Sequence, residues 1–210
     1  MVRILIADDH AIVRHGLKQI VSETSDMAIT GEASTGEELL DLVRSQGADV
    51  VLLDLAMPGR GGIDTLRQLK KEKPELPVLI LSIYPEDQYA VRALRNGASG
   101  YLTKEAAPDE LVEAIRKAAQ GRKYVSVTLA ERLALDLESG TEELPHQALS
   151  NREYQVMLML SSGRTVSEIA EELALSVKTI STNRARLLRK MGMRTNAELT
   201  YYAVKRGLVD

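Results

Sequence analysis

Five short apolar runs punctuate the first 120 residues, with amphipathic stretches between them. The runs are Val2–Ala7, Met27–Ala33 (broken by polar Thr30 and Glu32), Val50–Leu53, Val78–Leu81 and, more weakly, Gly100–Leu102. The first, third and fourth are rich in Val, Ile and Leu without apolar/polar alternation, which marks strands buried on both faces. Helical spacing fills the gaps: Ile12, Val13, Leu17, Ile20 and Val21; Leu39, Leu40 and Val43; Ile63, Leu66 and Leu69; Val91 and Leu94; Leu111, Val112 and Ile115. Gly47, Pro74, Pro77, Asn96-Gly97 and Pro108 fall between elements or at a helix start. Five strands alternating with five helices demand an α/β domain, a parallel sheet covered on both faces. Such a sheet binds ligands beyond the carboxyl ends of its strands.

The alternation stops after Gly121. Leu129, Leu133 and Leu137 recur every four residues and predict a connecting helix, and residues 138–148 read as an interdomain linker. From Ser150 onward the pattern is helical in short pieces. Charge divides along the same lines. Residues 1–120 hold 14 Lys/Arg against 19 Asp/Glu, and residues 149–210 hold 10 against 6, so an acidic front precedes a basic back. The back is the candidate for polyanion contact. The chain has no Cys, which excludes disulfides, thiolate metal sites and cysteine nucleophiles. No apolar run approaches the length of a bilayer span, and Asp8-Asp9 interrupts any signal-peptide core, so a cytoplasmic protein with no membrane partner is expected. With no Trp or Phe and seven Tyr, stacking platforms for single-stranded nucleic acid are poorly supplied.

Asp8 and Asp9 follow the first apolar run, Asp54 closes the third, Ser82 closes the fourth, and Lys104 follows Tyr101-Leu102-Thr103 at the end of the fifth. Taken singly, adjacent acids after a strand cap the next helix, and a lone Lys is a solvated charge. In a parallel sheet, however, all five positions project from one edge. Three carboxylates gathered there repel one another unless a cation joins them, and hard oxygen donors suit Mg2+. A carboxylate beside a divalent cation, an ammonium and a hydroxyl is equipment for phosphoryl transfer onto Asp54.

These residues resemble the receiver domain of bacterial response regulators over about residues 2–120. The pieces that carry the resemblance are Asp8-Asp9-His10, Asp54-Leu55-Ala56-Met57-Pro58 with Gly62, Leu81-Ser82, and Tyr101-Leu102-Thr103-Lys104. It implies a flavodoxin-like five-stranded fold. It also implies that Asp54 accepts a phosphoryl group from a histidine kinase, and that Asp8, Asp9, Asp54 and the Ala56 carbonyl hold Mg2+. Lys104 would pair with the acyl phosphate, Ser82 would swing toward it, and Tyr101 would change rotamer. Ile83 stands where a smaller residue is common, which predicts a crowded, apolar pocket mouth. The histidines His10, His15 and His146 have no companions at metal-ligand spacing and read as surface residues.

At the basic end, Ser150 with Glu153 forms a capping-box pattern, and Thr165 or Ser167 starts a short helix that Ala174-Leu175 interrupts. Ser176 caps the next helix, which runs toward Met191-Gly192. Two helices joined by so short a turn match a helix-turn-helix. Val177, Ile180, Leu187, Leu188 and Met191 form one stripe, expected to pack inward. Lys178, Thr182, Ala185, Arg186 and Arg189 form another, and residues 176–194 hold six basic residues and no acid. A second helix of this kind fits the DNA major groove.

Residues 149–210 resemble the LuxR-type helix-turn-helix through Leu149, Arg152-Glu153, Gly163, Glu168-Ile169-Ala170, Leu173, Ser176-Val177-Lys178-Thr179-Ile180 and Arg189-Lys190-Met191. With the receiver this describes the NarL/FixJ family. The resemblance implies promoter-DNA contacts at Lys178, Thr179, Ser181, Thr182, Ala185, Arg186 and Arg189, and a last helix over residues 196–204 that aids dimerisation. It implies a homodimer when phosphorylated and RNA polymerase as a further partner. Ser181 stands where Lys is common and Asn183 where His or Tyr is common. The expected division is a receiver at 1–120, a linker at 121–148 and a DNA-binding domain at 149–210, forming a phosphorylation-switched regulator rather than an enzyme. A metal-dependent phosphotransferase leaves the helix-turn-helix unexplained. A regulator acting by docking alone leaves Asp8, Asp9, Asp54, Ser82 and Lys104 without a purpose.

Overall fold

The computed structural model describes residues 1–57, 59, 61–138 and 144–209. The chain divides into two compact units, Met1–Leu133 and Ala134–Asp210.

In the first unit the strands are β1 (Val2–Ala7), β2 (Met27–Ala33), β3 (Val50–Leu53), β4 (Val78–Ser82) and β5 (Gly100–Thr103). They form one parallel sheet in the order β2-β1-β3-β4-β5. Every residue of β3 and β4 is buried, which is why those segments carry no alternation. The helices are α1 (Ala11–Ser22), α2 (Gly36–Ser45), α3 (Gly62–Glu72), α4 (Glu86–Arg95) and α5 (Pro108–Ala119). Leu17 and Val21 of α1 and Leu111, Ala114, Ile115 and Ala118 of α5 pack with Ile4, Ile6, Val50, Leu52, Leu79 and Leu81 into one core layer. Leu39, Leu40, Leu66 and Leu69 bring α2 and α3 to the buried total.

Residues past α5 stay on this unit. Tyr124 pairs with Gly100 in a parallel bridge, and its N–H donates to the Ser99 carbonyl at 2.7 Å. Gly100 permits this approach, because a Cβ there would stand 2.6 Å from the Tyr124 carbonyl oxygen. The expected connecting helix is present as α6 (Val127–Glu138), with Leu129 buried. The side chains of Leu133 and Leu137, and linker residues 139–143, lie outside the described residues.

The second unit contains a 3-10 turn (Pro145–Ala148) and helices α7 (Asn151–Ser161), α8 (Val166–Glu172), α9 (Val177–Met191) and α10 (Asn196–Lys205). Ser150 and Thr165 cap α7 and α8 with complete capping boxes to Glu153 and Glu168. Ser176 and Thr195 cap α9 and α10, and α9 ends on Gly192 at φ +67°. His146 is not a plain surface residue. Its Nδ1 lies 2.7 Å from the Tyr202 hydroxyl, and its ring contacts Tyr154 and Tyr202.

The turn between α8 and α9 holds Ala174 at φ +51°, the one described non-glycine residue with positive φ. An L-residue in that region costs about 1–2 kcal/mol relative to right-handed backbone. Ala174→Gly relieves that cost and loosens the unfolded chain, for a net gain of about 0.5–1 kcal/mol. A denaturant midpoint that rises in the variant is the expected result.

Candidate functional site

The carboxyl edge of the sheet gathers the sequence-identified residues through the ladder itself. Hydrogen bonding continues past the strands: the Asp8 N–H donates to the Ala33 carbonyl at 3.1 Å, Asp54 to Ala7 at 2.9 Å, and Lys104 to Ser82 at 2.8 Å. Backbone position is therefore fixed where each functional side chain departs. Asp8, Asp54 and Ser82 are buried. Lys104 Nζ stands 2.6 Å from Asp8 Oδ2 and 2.8 Å from Asp54 Oδ2. The opposite oxygens take backbone donors, Asp8 Oδ1 from His10 N–H at 2.8 Å and Asp54 Oδ1 from Ala56 N–H at 3.1 Å.

Burial pushes the Asp54 carboxyl above its ordinary value, against the opposing hydrogen bond from Lys104. Burial also disfavours the Lys104 ammonium, but its hydrogen bonds to Asp54 and Asp8 win and raise its pKa. Three carboxylates facing one ammonium leave a negative excess. Asp8 Oδ2 and Asp54 Oδ2 thus share one ammonium. Two buried carboxylates with a single cation between them, and an oxygen of Asp9 nearby, fit a hard divalent cation.

Gly62 holds the connection beyond Asp54, since a Cβ there would collide with the Asp54 carbonyl oxygen. Pro58 lies outside the described residues. Ser82 Oγ accepts from the Tyr84 N–H at 3.2 Å, and the buried Tyr101 hydroxyl donates to the Tyr84 carbonyl at 2.8 Å. Ser82 is buried, and Ile83 beside it is 63% exposed. His10 is exposed, as the surface reading expects. Its ring stands against Asp8 and Asp9. That contact is not anticipated from sequence, although the direct adjacency of His10 to the acidic pair is its signal. Arg14 was missed as well; its Nη1 donates to the Asp8 carbonyl at 2.7 Å and steadies the acidic loop.

In the second unit, Ile180, Leu187, Leu188 and Met191 bury one stripe of α9. Val177 departs from the expected inward stripe and is exposed. It is the first residue of the helix, whereas Ile180, three residues on, is fully buried. Lys178, Thr179, Ser181, Thr182, Ala185, Arg186 and Arg189 are all exposed. Ser176, Lys178, Thr179, Thr182, Asn183 and Arg186 line a shallow open depression. Two hydroxyls are partly committed, Thr182 donating to the Lys178 carbonyl and Thr179 bonded to Ser176 Oγ. Not every cation on α9 faces out for a ligand. Arg184 bonds Asn196 at 2.7 Å, and Lys190 Nζ sits 2.6 Å from buried Glu153. Lys178, Arg186 and Arg189 have no ion pair among the described residues.

Comparison with known proteins agrees with both halves. Residues 4–116 match the family model of the response regulator receiver domain, and residues 147–203 match that of bacterial regulatory proteins of the luxR family. The chain is 37% identical over 211 residues to Response regulator UvrY of Escherichia coli (strain K12), covering 100% of this chain and 97% of that protein. It is 38% identical over 210 residues to Response regulator GacA of Pseudomonas protegens, covering 100% and 99%. Among solved structures it is similar to RcsB from Salmonella enterica serovar Typhimurium bound to promoter rprA in the presence of phosphomimetic BeF3-. That match has a TM-score of 0.63 at 26% identity and covers 96% and 97% of the two chains. No helix among the described residues is long and apolar enough to cross a membrane.

Glu153 ties α7 to α9, and it generates a pH prediction. Burial opposes its ionisation, but hydrogen bonds from Lys190 and from Ser150 prevail and lower its pKa. A depressed pKa stabilises the fold at pH above the ordinary carboxylate value, and that stability is lost as the pH falls through the lowered one. Glu153→Gln keeps the capping geometry but loses the charge, costing about 1 kcal/mol, whereas Glu153→Ala costs about 2–3 kcal/mol. Melts of both variants near neutral pH and in acid check the order, and the Gln variant is expected to show the weaker acid dependence.

Proposed function

The chain belongs to the NarL/FixJ family of two-component response regulators, proteins that join a receiver domain to a LuxR-type DNA-binding domain and regulate transcription, and from that premise we propose that phosphoryl transfer to Asp54 switches its binding to promoter DNA. The observation that carries this reading is Asp54 itself, buried at the sheet edge 2.8 Å from Lys104, in a chain that also exposes the basic face of α9.

A phosphohistidine on a kinase is the donor: its P–N bond breaks as a P–O bond forms to Asp54. Asp8, Asp9, Asp54 and the Ala56 carbonyl would hold Mg2+, which when bound offsets charge on the phosphoryl oxygens. Lys104 then pairs with a phosphoryl oxygen instead of the free carboxylate. Ser82 leaves the Tyr84 N–H to donate toward the phosphoryl group, and the Tyr84 carbonyl, no longer held in place, frees Tyr101 to rotate. This is a local charge event biasing a two-state surface. In the second domain, Lys178, Arg186 and Arg189 meet phosphates while Thr179, Ser181, Thr182 and Ala185 face base edges. One recognition helix reads few base pairs, so pairing two chains multiplies affinity. Tyr201 and Val204 on α10 are exposed and supply an apolar face for that pairing. The protein works in the cytoplasm without turning over an external substrate, RNA polymerase is the downstream partner, and we assign residues 1–120, 121–148 and 149–210 as receiver, linker and DNA-binding domain.

The test is to phosphorylate the protein with a small phosphodonor, select its DNA sites, and compare the unphosphorylated form and Asp54→Ala. Tighter, more dimeric binding by the phosphorylated protein alone is expected; equal affinity of all three forms would refute the switch.

Arg186→Ala and Arg189→Ala are expected to weaken binding to every sequence and to lower the salt dependence by about one unit of log–log slope each. Ser181 and Thr182 variants should instead change base preference, by about 1–3 kcal/mol per good contact. Binding series across salt concentrations separate the two classes.

Ala56, two residues after Asp54, has no group with which to orient a hydrolytic water. A phosphorylated state far longer than seconds is therefore expected, shortened in Ala56→Asn; phosphate release after removal of the donor measures both.

A further inference from the structure

Val177 is an apolar side chain left in solvent where α9 begins. It is the first residue of that helix and is 51% exposed. A single exposed valine is ordinary on a protein surface; its neighbours make this one informative. Residues four apart are adjacent on a helix face, so Val177, Ser181 and Ala185 form one line, and all three are exposed. Ser181 is short and leaves the methyl groups on either side of it uncovered. Thr182, also exposed, adjoins Ala185 at a spacing of three. Its hydroxyl donates to the Lys178 carbonyl at 2.9 Å, so the hydrogen is committed to the helix and the methyl is the part left for a ligand. Reading a purine takes the paired donors of Arg, Lys, Asn or Gln. Val177, Ser181, Thr182 and Ala185 have none of these. They offer methyl groups, and the C5-methyl of thymine is the apolar feature of the major groove.

We propose that α9 selects its DNA through thymine methyl groups, and that Val177 is a further base-reading residue beside Thr182 and Ala185. This rests on α9 lying in the major groove of promoter DNA, and adds which bases it takes there. The N-terminal residues of a recognition helix are the ones that reach base edges, and Val177 holds the first position. Packing its methyls on a thymine methyl removes apolar surface of both partners from water, which gains several-fold in affinity per contact. Cytosine in the same place has no methyl and presents an amino donor that valine cannot accept, so its burial there is a loss. A valine that only fills out the start of the helix makes a different forecast. Its replacement by Ala, a better helix former, then affects all DNA sequences alike.

The experiment uses the full-length phosphorylated protein and the DNA site selected with it. Each thymine of that site is replaced in turn by uracil, which removes the methyl and keeps the hydrogen-bonding edge. Affinities are measured for the native chain, Val177→Ala, Thr182→Ser and Thr182→Val. Uracil at one or more positions of each half-site is expected to weaken the native chain about threefold to fivefold. Val177→Ala should lose most of that penalty at one such position and keep it at the others. Thr182→Ser, which removes the methyl and keeps the hydroxyl, should lose it at a second position, whereas Thr182→Val, which keeps the methyl, should retain it. A penalty left intact at every position in Val177→Ala or in Thr182→Ser overturns the role of that residue. Native binding that no uracil weakens overturns thymine-methyl selection and leaves DNA recognition by α9 standing. Failure of the native protein to select any DNA sequence overturns both.

Discussion

Lys104 draws its ammonium between two carboxylates buried at the same sheet edge, 2.6 Å from Asp8 and 2.8 Å from Asp54. Buried like charges side by side are strongly unfavourable, and one fixed cation makes them tolerable while leaving them short of neutrality. That imbalance gives the edge its chemistry. It favours a divalent cation, and under the proposed function it lets Lys104 pass from Asp54 to an incoming phosphoryl group. The surrounding fold serves to hold these groups still: ladder bonds run past β1, β3 and β5, Gly62 presses the following loop against Asp54, and Arg14 anchors the Asp8 carbonyl.

The second domain solves a different problem, presenting a charged helix without letting it drift. Four apolar side chains seat α9, and the Lys190–Glu153 pair locks its later turns to the capping box of α7. Val177 and Lys178 at its start are exposed. Cations on one helix are thus divided between holding the helix and facing solvent, which count and spacing alone could not separate.

Much of this was legible in the residues. The strand segments, the five helices between them, the Ser150–Glu153 capping box and the edge position of Asp8, Asp54, Ser82 and Lys104 all follow from periodicity and end signals. The errors have one cause. Val177 and His146 are read from residue type and spacing, and each depends on which way a particular side chain turns. Val177 opens its helix and is exposed, while His146 turns toward Tyr202.

The sequence by itself determined the architecture and the inventory of the site, because hydrophobic period and turn chemistry act locally and a parallel sheet has only one carboxyl edge. It could not determine which oxygen meets which nitrogen. The Lys104 bridge, the Ser82–Tyr84–Tyr101 linkage and the Glu153–Lys190 tie join residues 17 to 96 positions apart or set the direction of neighbours only 2 apart. Only tertiary packing decides those, since burial fixes both the path of the backbone and the rotamers left open to each side chain.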